Sequence, residues 1–127
     1  MYQFGGLCLK YTIFGIVMVT LHYFVSNLSL LKIKIIELYY IHLINFFLSF
    51  VCSLILLLIL PKMKNKIGFI FIGLSTVKFL FIIVFLVLSI INKLGSENVA
   101  LQFICISLLY LIFDVKWVIA QINLSKT

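Results

Sequence analysis

Four long apolar runs, separated by three short polar stretches, organise the chain. They cover about residues 11–31, 38–60, 67–91 and 99–124, and the connections are "KIKIIE" (Lys32 to Glu37), "PKMKNK" (Pro61 to Lys66) and "NKLGSEN" (Asn92 to Asn98). A bilayer core about 30 Å thick takes about 20 helical residues to cross, so each run is long enough to span it. The lone proline, Pro61, stands where the second helix should stop. The first run could be taken for a signal peptide, because Lys10 precedes it. It is longer than a usual signal core and no Ala-x-Ala follows, so a retained helix is expected. The pattern predicts an all-α, integral membrane four-helix bundle with short loops, in a single transmembrane domain over residues 1–127.

Within each run the polar residues gather on one side at about 100° per residue. Tyr11, Gly15, His22 and Ser29 share roughly 40° of the first span. His42, Asn45, Ser49, Cys52 and Ser53 share about 100° of the second, and Gly68, Ser75, Lys78 and Ser89 about 80° of the third. Ser107, Tyr110, Asp114, Trp117 and Gln121 share about 80° of the fourth. Small and weakly polar residues collect where membrane helices meet, because they permit close approach and hydrogen bonds across the interface. The stripes therefore predict a bundle with a weakly polar interior and lipid-facing surfaces of Leu, Ile, Val and Phe. A partner protein facing some stripes is the competing reading.

Composition agrees with this class. Of 127 residues, 65% are hydrophobic and 10% charged, too few charges to clothe a water-soluble domain. The net charge of +7 comes from lysines, with no arginine. Because the lysines flank membrane spans, anionic lipid headgroups are their expected neighbours, not nucleic acid. Lys10, Lys62, Lys64, Lys66 and Lys126 fall on one side and Lys32, Lys34 and Lys93 on the other, with Glu37 and Glu97. The positive-inside rule then places both termini and the basic loop Lys62, Lys64, Lys66 in the cytoplasm. Tyr2, Tyr11, Tyr39, Tyr40 and Trp117 are placed for interfacial aromatic belts. Cys8, Cys52 and Cys105 lack metal-ligand spacing, and no metal or other cofactor is expected.

One charge in the third run demands an explanation. Lys78 lies roughly 16 Å deep and Asp114 in the fourth run roughly 12 to 15 Å, at 1.5 Å per residue. Either alone at mid-bilayer costs about 2.5–3.5 kcal/mol, and a short loop makes their helices neighbours. The two are expected to face each other inside the bundle. Three roles remain open: an ion pair fixing helix register, a proton- or ion-linked site with His22 and His42, or a charge offered to a partner subunit. Lys116 points away from the Asp114 stripe and can snorkel to the interface. The chain shows no phosphate-binding glycine loop, no activated nucleophile and too few acids for a carboxylate metal site, so no enzyme is expected. No span is broken by Gly or Pro as transporter helices are. A channel would require an oligomer.

The stretch "KIGFIFIGLSTVKFLF" (Lys66 to Phe81) resembles a motif of an uncharacterised family of small four-span bacterial membrane proteins. "LIFDVKWVI" (Leu111 to Ile119) is similar to the family's fourth span and "ELYYIHLINF" (Glu37 to Phe46) to the start of its second, the likeness covering about half the chain. Asp114 stands where the family has Glu, and Gln121 where it has Lys. Members are encoded beside the F-type ATP synthase, in the place of subunit I. The resemblance implies an accessory or assembly factor of the ATP synthase membrane sector in the bacterial inner membrane, contacting subunits c or a. The alternative of another class is an oligomeric small ion conduit or holin-like protein, with the polar stripes lining a path between protomers.

Overall fold

The structure is a computed structural model and describes residues 2–28, 34–92 and 97–126. Four helices account for nearly all of them: α1 (Tyr2–Leu28), α2 (Ile35–Ile59), α3 (Ile67–Ile91) and α4 (Glu97–Lys126). All four are long and apolar enough to cross a membrane. The protein is an all-α four-helix bundle and a small, multi-pass integral membrane protein.

The helices start and stop for local reasons. At α2 the Lys34 N–H donates to Glu37 Oε2 at 3.3 Å, placing a carboxylate where the helix dipole favours it. At the far end Leu60 N–H still reaches Leu56 O at 2.8 Å, and Pro61 then ends the ladder. A single 3-10 turn at Lys64–Lys66 leads into α3. The third helix coincides with its expected range. The first begins nine residues earlier than expected, because Lys10 is exposed on the helix surface and does not end it. A lysine on the outer face can run its stem along the helix toward the interface, so it need not mark a boundary. The calls on Ser29, Lys32 and Lys93 lie outside the described residues, as do those on the side chains of Tyr2, Glu97 and Lys126.

Tyr11 meets Ser53, His22 meets His42, and Lys78 meets Asp114, so successive helices run antiparallel. Both termini and the α2–α3 loop share one end, here the terminal end. Helix α2 packs against each of the other three. Helices α1 and α4 meet through side chains: Phe14 stacks on Phe113 at 4.0 Å, and Tyr11 meets Phe113 edge-on at 5.0 Å.

The apolar core is in two parts. At the terminal end Leu7, Leu56, Leu60, Ile67, Trp117 and Val118 pack around Tyr11. In the opposite half Met18, Ile41, Ile82, Phe103 and Ile106 pack around Tyr110. Tyr11 and Trp117 are therefore core residues and not members of an interfacial belt, with 0% and 6% exposure. The earlier start of α1 accounts for the tyrosine, since it moves Tyr11 two and a half turns into the helix. Tyr39 and Tyr40 are exposed near the start of α2.

Candidate functional site

The ion pair lies between the two apolar clusters. Lys78 Nζ is 2.7 Å from Asp114 Oδ2, and both side chains are almost wholly buried. Lys78 also donates to Ser49 Oγ at 2.5 Å, and the Ser49 hydroxyl in turn donates to Asp114 Oδ2 at 3.1 Å. The other carboxylate oxygen, Oδ1, accepts from the Tyr11 hydroxyl at 2.6 Å. A phenol has one proton, so with that proton committed to Asp114, the hydrogen bond between Tyr11 and Ser53 has the serine as donor. The carboxylate thus draws one partner from each of the other three helices. Such saturation is what a buried charge requires, because an ion pair in low dielectric recovers its desolvation cost only when its remaining hydrogen-bonding capacity is met.

A second polar cluster lies toward the opposite end. His22 Nδ1 and His42 Nε2 are 3.0 Å apart, and His22 Nε2 is 2.6 Å from Gln102 Oε1. The amide oxygen can only accept, so His22 carries its proton on Nε2 and accepts at Nδ1 from His42 Nε2–H. That leaves His42 Nδ1 as a bare acceptor in the neutral ring. Ser26 is buried beside this cluster and donates to Tyr23 O at 3.0 Å.

Between the clusters α2 presents Asn45 and α4 presents Ser107 and Tyr110, all fully buried. Asn45 Nδ2 donates to Ile41 O at 3.0 Å and Ser107 to Phe103 O at 2.7 Å, each on its own helix. Gly15 makes room for Phe46 and Tyr110: a Cβ there would sit 3.2 Å from the Phe46 ring and 3.9 Å from the Tyr110 hydroxyl. On α2 the buried polar file His42, Asn45, Ser49, Ser53 spans twelve residues, about 16 Å of helix.

Of the other expected interior residues, Ser75 and Gln121 are only half-buried and join neither cluster. Gln121 borders a small hollow beside Trp117 and Val118. Lys62, Lys64 and Lys66 are exposed at the terminal end, and so is Lys116 on α4. Cys8, Cys52 and Cys105 are free thiols, and among the described residues no cluster of metal-ligating side chains forms. Tyr11 and Ser53 lie on the inward stripes of their spans, although Tyr11 is also placed for an interfacial belt. Gln102 falls outside the arc of the α4 stripe and is the participant the sequence does not single out.

Comparison with protein-family profiles, with curated proteins and with solved structures finds no match to this chain.

Proposed function

We propose that this protein is a non-enzymatic accessory or assembly factor of a larger membrane complex, the membrane sector of the F-type ATP synthase, with subunits c or a as its contacts. The observation that supports it is the unequal covering of the helices. Seven side chains of α2 are buried but only Ile67, Lys78 and Ile82 of α3. The rest of α3 offers Phe, Ile, Leu and Val, with Gly68 and Gly73 open enough that an added Cβ would meet nothing within 4 Å. Exposed glycines on a membrane helix let a second helix approach closely. A lysine locked against a saturated carboxylate pins α3 in place and leaves that outer face for a partner. The choice of complex rests on the likeness of "KIGFIFIGLSTVKFLF" to proteins encoded beside the ATP synthase. In this reading the termini and Lys62, Lys64 and Lys66 are cytoplasmic, in the bacterial inner membrane, where the lysines meet anionic headgroups.

The test is affinity purification of the tagged protein from native membranes in mild detergent, followed by mass spectrometry. Recovery of subunits c or a above an unrelated four-span control supports the reading. Recovery of a defined homo-oligomer alone overturns it. The second reading, an oligomeric small ion conduit or holin-like protein, is favoured by the buried polar file on α2 and would show as conductance in liposomes that is lost in the Lys78→Met, Asp114→Leu double variant.

A further inference from the structure

Among the described residues three buried polar atoms have no hydrogen-bond partner: His42 Nδ1, Asn45 Oδ1 and the Tyr110 hydroxyl. All belong to side chains at most 3% exposed. His42 and Asn45 lie three residues apart on the inner face of α2, and the Tyr110 ring is centred 6.1 Å from that of His42. A buried polar group left without a partner costs about 1–3 kcal/mol, so three together are not a neutral feature of a small bundle.

Their chemistry is complementary to one molecule. The tautomer set by Gln102 leaves His42 Nδ1 an acceptor. Asn45 Oδ1 is an acceptor as well, because its amide nitrogen already donates to Ile41 O. The Tyr110 hydroxyl can donate. Two acceptors and one donor match a water molecule, which has two protons to give and lone pairs to receive the third bond, and buried waters typically make about three such bonds.

A route in and a stop are also present. A groove of about 580 Å³ between α1 and α2 begins near Ile36 and Tyr39, at the end away from the termini, and reaches His42, Phe46 and Tyr110. On the other side of the ion pair the interior is apolar. The hollow there, about 10 Å³ beside Leu56, Leu60 and Trp117, is about the size of a single water with few polar atoms to hold one. We propose that the bundle is a one-sided water well: His42, Asn45 and Tyr110 hold a water that exchanges through the α1–α2 groove, and the apolar cluster at the terminal end closes the path. This does not depend on which complex the chain serves.

Protein carrying 15N-histidine in lipid bilayers tests it by water-edited solid-state NMR. Rapid magnetisation transfer from water to His42, with Nδ1 in the unprotonated form, is expected. Tyr110→Phe, which removes a hydroxyl with no protein partner, should fold with unchanged Trp117 emission. It should weaken the water's hold, and the transfer with it, by about two- to tenfold, the range for one ordinary hydrogen bond. In vesicles with a trapped pH dye, the wild-type protein should carry protons no faster than protein-free vesicles. Absence of water transfer to wild-type His42, a protonated Nδ1 in the neutral ring, or unchanged transfer in Tyr110→Phe overturns the site. Proton flux above the protein-free level overturns the seal.

Discussion

Replacing Asp114 by leucine strands an ammonium group. In the wild-type bundle Lys78 Nζ has the carboxylate at 2.7 Å and Ser49 Oγ at 2.5 Å, and only the serine survives the change. Removing one partner of a buried pair costs about 3–5 kcal/mol, and Asp114→Leu should fall in that range. Lys78→Met should cost less, about 3 kcal/mol, because Tyr11 and Ser49 continue to donate to the carboxylate. In the double variant no charge needs a partner, and Tyr11 keeps its bond to Ser53. Its net cost should be about 1–2 kcal/mol, for hydroxyl bonds lost from a well-filled interior. The coupling energy of the cycle is then at least about 4 kcal/mol, close to a thousandfold in the folding equilibrium. Trp117, the only tryptophan, is buried three residues beyond Asp114 and reports unfolding in mixed lipid–detergent micelles as SDS is raised. A double variant as unstable as the two single changes summed would refute the pairing as an energetic unit.

Tyr11→Phe removes the donor to Asp114 and the acceptor of the Ser53 hydroxyl while keeping the ring in its aromatic cage. A loss of about 1.5–3 kcal/mol is expected in the same unfolding assay, the range for a hydrogen bond to a charged group. Gly15→Ala should destabilise by about 1 kcal/mol, because the new methyl meets Phe46 at 3.2 Å. Gly73→Ala, which meets nothing, should be neutral or stabilising, and thermal melting in detergent separates the two. A membrane-permeant maleimide should modify the exposed Cys105 well before the half-buried Cys52, read by intact-protein mass spectrometry.

How far the fold can be read from the chain depends on where its charges stand. The third span is legible at both ends because lysines bracket it and a membrane helix tolerates few of them inside. The same logic misplaces the start of α1, since Lys10 resembles a boundary but projects outward from the helix. The meeting of Lys78 with Asp114 follows from cost: of the three charges in the apolar runs Lys116 can snorkel outward, which leaves one lysine and the one acid of the four spans, joined by a short connection. The third partner, Tyr11, lies on the inward stripe of the first span, but the Lys10 error puts it at a helix start, where a tyrosine also reads as a belt residue. Gln102 is illegible for a different reason. A single polar residue off the main arc has no period to reveal it, and only the docking of α1 brings His22 to it.

The order of the bundle's charges along the chain also bears on its birth. Lys78 precedes Asp114 by 36 residues, so the helix that carries the lysine is made before the helix that carries its counter-charge. Ser49, 29 residues upstream, is already present on α2 and offers the nascent lysine its first oxygen. The last helix then completes a site that the earlier ones have left open. A chain truncated before Asp114 would leave an unneutralised cation inside the membrane, with Ser49 as the oxygen left to it.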